Sequence, residues 1–288
     1  GADVSRLVHR RRRGAVERWK MRPARLSLCL GLGCLIALAA AIAFGESALD
    51  LTQYSAAVGD PASPPGEVLW QVRAPRAVCA MLVGAALGLS GAVMQGLLRN
   101  PLADPGVLGV SAVSALAAAC AIVAGGAAWA GVVEGSALIG TLLAGAALAI
   151  AGSRLRFPEA LILFGVALSS FAGALTALIF NLSPSPIATA EVMSWLLGSV
   201  QNRSWIDVAW VAPALAVASV LAARTSPGLR MLSLGEEAAA TSGLSMRRFK
   251  VLALLATALA TGAAVAVAGV IGFCLLYTSD AADEEDRV

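Results

Sequence analysis

Twenty-two consecutive residues, 77–98, carry no charge. As a helix rising 1.5 Å per residue, such a stretch covers the roughly 30 Å of a bilayer's hydrocarbon core. Comparable apolar runs recur at 26–44, 107–123, 136–151, 160–180, 206–223 and 251–273, so the sequence predicts seven spans. Hydrophobic residues make up 58% of the 288 and charged residues 14%, which leaves too much apolar surface for one soluble core. In lipid the backbone must satisfy its own hydrogen bonds, and runs of this length do so as helices. The expectation is an all-α polytopic membrane protein.

Charge sets the orientation. If the N-terminus is cytoplasmic, that side holds the nine Lys and Arg of residues 1–25 together with Arg99, Arg154, Arg156, Arg224, Arg230, Arg247, Arg248 and Lys250. The other side holds Arg73, Arg76 and Arg203. Basic residues resist translocation, so a basic N-terminal tail over 1–25 is expected inside. The first run is longer than a typical signal core and no small-residue cleavage site follows it, so it reads as an uncleaved span.

Several chemistries lack their residues. No span places Asp, Glu, Lys, Arg or His at mid-membrane, which disfavours ion-coupled carriers. The chain has no phosphate-binding G-x-x-x-x-G-K-[ST] loop and no nucleophile elbow. Cys29, Cys34, Cys79, Cys120 and Cys274 form no C-x-x-C pair, and His9 is the only histidine, so neither a metal site nor a cofactor is expected.

The segment RAPRAVCAMLVGAALGLSGAVMQGLLRNPLADPGVLG, residues 73–109, joins a basic entry, a span and a punctuated exit. Gly84, Gly88 and Gly91, with Ala85, Ser90 and Ala92, form a stripe without bulk, suited to close helix packing. At the exit, Arg99 meets the negative helix end, Asn100 can take a left-handed cap, and Pro101 forbids continuation. Asp104 and Pro105 then suit an N-cap and first helical position, predicting a tight cytoplasmic hairpin that is structural rather than catalytic.

Between the sixth and seventh runs lies SPGLRMLSLGEEAAATSGLSMRRFK, too polar to span. Ser233 and Glu236 match a capping box, the alanines at 238–240 favour helix, and Gly243 ends it. Ser245 can cap a second short helix through Met246, Arg247 and Arg248. Composition leaves a partner platform and a solvated connector equally open.

Residues 274–288, CLLYTSDAADEEDRV, bring five acids directly after an apolar helix. CLLYTSDAADE resembles the conceptual translation of a transposase-type sequencing adaptor, and 274–288 is expected to be a non-native tail. Residue 1 is Gly, and Met21 is a candidate initiator.

RAPRAVCAMLVGAALGLSGAVMQGLLRNPLADPGVLGVSA, WLLGSV, LGEEAAATSGL and ALATGAAVAVAGVIGF, in that order, resemble the FecCD family of bacterial ABC importer permeases over about 26–273. That family handles iron-siderophore, haem and cobalamin uptake. The resemblance implies a ten-helix permease of which about seven helices are present, truncated after Phe273 where a Pro-His segment and three helices would follow. It implies a bacterial inner-membrane location. Its implied partners are a cytoplasmic ATPase dimer, a periplasmic or lipid-anchored binding protein and a second permease subunit, identical or different, with no nucleic acid.

By the same resemblance, Arg73 and Arg76 match arginines that grip acidic residues of the binding protein. Leu234, Gly235, Glu236, Glu237, Ala238, Gly243 and Leu244 match the coupling helices that dock in the ATPases. Pro158 and Glu159 fall in the gate region, where Phe157, Pro158 and Glu159 replace small hydroxylated residues of a cobalamin member. Leu168, Ser169, Ser170 and Gly173 would line the path. The expected function is thus a non-enzymatic permease subunit for a ferric chelate, haem or cobalamin, with a carrier or channel acting without ATPases as the alternative.

Overall fold

The computed structural model describes residues 23–45, 49–129, 131–154, 158–183 and 185–271. Most of the basic tail and all of 274–288 lie outside the described residues. Regular structure among the described residues is helical, and the chain divides into two units, 1–69 and 70–288.

In the first unit, α1 (Pro23–Ala43) is apolar and mostly exposed, as a lipid-facing helix must be. The Tyr54 hydroxyl donates to the Ala43 carbonyl at its end. The next helix, α2 (Leu51–Gly59), starts at a capping box: Asp50 Oδ1 accepts from the Leu51 N–H at 2.8 Å, and Gln53 Oε1 accepts from the Asp50 N–H at 2.9 Å. A single turn, α3 (Pro64–Glu67), is capped by Ser63. Hydropathy did not register α2 or α3, because neither is long enough to span.

A π-turn, Val68–Arg73, leads into α4 (Ala74–Leu98). Pro75 offers no N–H and crowds the carbonyl four residues back, and a widened turn relieves both. Along α4 the buried residues Cys79, Val83, Ala86, Ser90, Val93 and Leu97 recur at the 3.6-residue period of one face. The expected packing stripe follows that face only at Ser90 and Gly91. Gly84 and Gly88 are exposed, and a β-carbon on either would meet open space, whereas Gly91 is buried.

The exit from α4 also differs from expectation. Arg99, not Asn100, takes the left-handed conformation (φ 51°), while Asn100 Oδ1 accepts from the Leu102 N–H at 2.9 Å. Asp104 Oδ1 accepts from the Gly106 N–H at 2.7 Å, and a 3-10 turn, Pro105–Leu108, follows. Only after Gly109 (φ 80°) does α5 (Val110–Val123) begin. With 14 residues α5 is about 21 Å long, too short to span by itself. Leu108 and Val110 are buried, and the 3-10 turn packs on the middle of another helix, so the connection is seated in the bundle rather than being a plain hairpin.

The remaining elements are α6 (Val132–Arg154), α7 (Pro158–Leu182), α8 (Pro186–Leu197), α9 (Trp205–Leu232), α10 (Glu236–Thr241) and α11 (Met246–Ala268). Six helical runs are long and apolar enough to cross a membrane: α1, the run Pro64–Leu98, α6, α7, α9 and α11. With the short α5, they account for the seven predicted runs.

The helix α11 is the hub, in contact with α4, α5, α6 and α9. Its Ala, Thr, Gly and Val side chains are buried almost continuously from Ala253 to Ala268, and small residues let several backbones approach at once. Gly262 is the tightest point, where any side chain would run into Thr141 of α6.

Two further expectations change at this end. The helix α9 runs through Pro213 and Pro227 to Leu232, absorbing the first part of the supposed connector. Thr225 Oγ1 donates to the Ala222 carbonyl at 2.7 Å, Gly228 lies against the Phe249 ring, and Leu232 is buried, so tertiary contacts hold the turns that Pro227 weakens. No second short helix forms either: Met246, Arg247 and Arg248 open α11 itself.

Candidate functional site

Alternating helix directions put the starts of α4, α6 and α9 and the ends of α5, α7 and α11 at one end of the bundle. Trp70, Trp129, Trp195, Trp205 and Trp210 gather there, which is the placement of an interfacial aromatic belt. Trp205 Nε1 donates to the Trp70 carbonyl at 2.9 Å, and Gly131 (φ 82°) packs against the Trp210 indole. At this end α9 begins with a capping box in which Asp207 Oδ2 accepts from the Ser204 N–H at 2.7 Å. Asp207 also pairs with Arg203 at 3.5 Å.

Arg73 and Arg76 lie at the same end. Arg73 is 6% exposed and Arg76 is half-buried, with its Nε lacking a hydrogen-bond partner. In this conformation the two cations sit within the helix ends rather than standing out from them. Close by, a polar cavity of about 330 Å³ is lined by Glu134 of α6, Glu191 of α8, Arg203 and the indoles of Trp129 and Trp195.

The opposite end carries Arg99, Arg154, Arg224, Arg230, Arg247, Arg248 and Lys250. Here α10 starts after Gly235 (φ 114°), whose side-chain-free position supplies no cap; Ser233 instead donates its hydroxyl to the Arg230 carbonyl at 2.7 Å. The expected Ser233–Glu236 capping box is therefore absent, because Ser233 finishes the preceding helix. The helical positions of Glu236 and Glu237 are described, but their side chains are not.

The end of α10 follows the sequence closely. Gly243 (φ 84°) donates to the Ala240 carbonyl at 3.1 Å and Leu244 to the Ala239 carbonyl at 3.2 Å, a left-handed glycine stop with a hydrophobic residue behind it. Ala239 is fully buried and Leu244 packs on the main core, while Leu234 is 79% exposed. Beside Leu234, a shallow cavity of about 480 Å³ is lined by Pro227, Arg230 and Met231 of α9. One face of this segment is thus anchored, and an apolar residue is left outside.

Between the two ends lies a larger cavity of about 590 Å³. Its walls are Leu87 of α4, Ala112 and Ala115 of α5, Gly173, Thr176 and Phe180 of α7, Met193 and Leu196 of α8, and Thr261 of α11. Asp104, Pro105 and Gly106 also line it, so the turn read as scaffold forms part of the wall.

Of the four expected path residues on α7, Gly173 lines this cavity and faces open space. Leu168 packs on the core, and both Leu168 and Ser169 abut Gly109, while Ser170 is exposed. Glu159 is exposed in the first turn of α7, and Pro158 begins that helix; the preceding residues 155–157 are outside the described set. Sequence reasoning missed Asp104, Thr261, Met193 and Leu196. The one available signal was Pro186 opening a twelve-residue apolar helix, too short to count as a span.

Comparison with known proteins places this architecture. The FecCD transport family matches residues 33–282. An uncharacterised ABC transporter permease protein, YvrB, of Bacillus subtilis is 38% identical over 72% of this chain and 60% of its own length. The cobalamin import system permease BtuC of Halobacterium salinarum is 38% identical over 72% of this chain and 56% of its own. The vitamin B12 import permease BtuC of Salmonella typhi is 37% identical over 88% of this chain and 75% of its own. The chain thus spans somewhat under two thirds of the first two relatives. A solved structure described as a metal-chelate type ABC transporter in an inward-facing conformation superposes with a TM-score of 0.76 at 28% identity, covering 86% of this chain and 77% of that one. With its helical bundle and a family match over most of its length, this chain belongs to the FecCD transport family.

Proposed function

We propose that this chain is the membrane-spanning permease subunit of an ATP-driven importer that carries a ferric siderophore or a related metal chelate, haem or cobalamin. The observation that carries the reading is the match to the FecCD transport family over residues 33–282, supported by six helical runs long and apolar enough to cross a membrane. The Trp-rich end then faces the outside and the Arg-rich end the cytoplasm of a bacterial inner membrane, with a cytoplasmic N-terminus.

In this scheme Arg73 and Arg76 steer and hold an acidic extracellular binding protein. The segment 234–244 docks into a pair of cytoplasmic ATPases, its exposed Leu234 and the neighbouring cavity forming the contact and its buried Ala239 transmitting the motion. A second permease subunit, identical or different, completes the path. ATP binding acts by favouring one of two helix arrangements, so the energy enters as differential affinity and no chemistry occurs on this chain.

The test is uptake. The gene is expressed with neighbouring ATPase and binding-protein genes, reconstituted in proteoliposomes, and supplied with radiolabelled ferric chelates, haem and cobalamin. ATP-dependent accumulation of one of them is expected; accumulation that ignores ATP and follows an ion gradient refutes the importer reading.

A further inference from the structure

Arg73 and Arg76 do not line the polar cavity of about 330 Å³ at the Trp-rich end. That cavity is built on fixed backbone. The Ser199 N–H donates to the Ala268 carbonyl at 2.7 Å, tying the loop after α8 to the end of α11, and the Gln201 N–H donates to Ser199 Oγ at 3.0 Å. On the other side Glu134 stands in the first turn of α6, beside the buried Val133. Glu191 is exposed on α8 and Trp129 is 72% exposed, so the mouth is open to solvent.

Among the described residues from 70 onward, this end carries Arg73, Arg76 and Arg203 against Glu134, Glu191 and Asp207. Arg203 is already engaged: it pairs with Asp207 at 3.5 Å, and its Nε donates to the Ser199 carbonyl at 3.4 Å. Neither Glu134 nor Glu191 has an ion-pair partner among the described residues. The cavity therefore holds two uncompensated carboxylates beside the indoles of Trp129 and Trp195. An ammonium or guanidinium group gains there from charge-assisted hydrogen bonds and from the aromatic rings, whereas an anion is repelled. The face is thus bipolar, with a cationic pair on α4 and an anionic pocket between α6 and α8. A partner matched to both can dock in one orientation only. We propose that this pocket receives a basic side chain of the same extracellular binding protein that Arg73 and Arg76 hold, which rests on the permease reading above and adds a second anchor of opposite sign.

The test is affinity of the purified binding protein for the permease in nanodiscs, measured by surface plasmon resonance at low and high salt, with variants first matched to the parent by size-exclusion chromatography. Glu134→Gln with Glu191→Gln keeps side-chain volume and should weaken binding at least about tenfold at low salt, a gap of about 1.4 kcal/mol. Glu134→Lys with Glu191→Lys should weaken it further, and both losses should shrink as salt screens the pairing. A loss that high salt leaves unchanged marks a structural role and overturns the proposal. So does affinity that EDTA abolishes and calcium restores, which assigns the pocket to a bridging metal ion. Unchanged affinity in both Glu variants, with Arg73→Glu and Arg76→Glu still preventing capture, overturns the proposal and spares the docking reading. If neither pair of substitutions alters binding, both fall.

Discussion

Gly165 of α7 lies against Leu108 of the 3-10 turn so closely that a β-carbon on it would stand 2.7 Å from the Leu108 α-carbon. The obstacle is backbone, which cannot rotate away, and the Val107 carbonyl is 2.8 Å from the same point. This contact seats the 105–108 turn in the bundle and so sets the position of Asp104 in the cavity wall.

Gly165→Ala should therefore cost about 1–3 kcal/mol through forced separation of α7 from the turn. Thermal denaturation in detergent should show a lowered midpoint for Gly165→Ala and an unchanged one for Gly173→Ala, where a β-carbon meets nothing. Equal midpoints for the two variants would contradict the close approach.

Asp207 performs two tasks at the start of α9, capping Ser204 and pairing with Arg203. Asp207→Ala should destabilise by about 1–2 kcal/mol, mostly from the lost cap, since an ion pair near the surface adds little. Asp207→Asn, which keeps an acceptor for Ser204, should recover most of the loss. If Arg203→Ala proves as damaging as Asp207→Ala, the cap is not the main term.

At the Trp-rich end, Arg73→Glu with Arg76→Glu should reduce affinity for the extracellular binding protein at least about tenfold, because charge reversal replaces attraction with repulsion. Arg73 is nearly buried, so the folded fraction must be matched first by size-exclusion chromatography. Undiminished capture of the binding protein in a pull-down removes these two residues from the docking assignment.

Gly243→Val places a β-branched residue at a φ of 84°, a conformation that costs such residues about 1–2 kcal/mol. The expected result is a distorted end of α10 and ATP hydrolysis no longer coupled to uptake, measured as moles hydrolysed per mole accumulated. An unaltered ratio argues against coupling through 234–244.

The stop at Gly243 was legible because its cause is local: a glycine with a positive φ after a short alanine-rich helix. The membrane runs were legible for a similar reason, since length and hydropathy suffice for a span whatever its neighbours. Short elements were not. The twelve residues of α8 and the nine of α2 carry apolar or capping signals too brief to be told from loop by periodicity. The segment from Ser226 erred in the other direction: its polarity read as a connector, yet α9 continues to Leu232 because Thr225, Gly228 and Leu232 are buried.

By itself, then, the sequence determined that this chain is a bundle of apolar helices with one basic end and a family-typical set of motifs. Those properties follow from transfer of side chains into lipid, which each segment experiences separately. Tertiary structure alone decided which faces those helices share. Gly84 and Gly88 of α4 face away from the packing they seemed made for and Gly91 is buried in it, while Gly165 and Gly262 mark close approaches. The turn through Asp104 becomes cavity wall because α7 offers a bare backbone for it to rest on. Pairing of that kind depends on residues 57 positions apart, Leu108 and Gly165, meeting in space, and no local pattern encodes that distance.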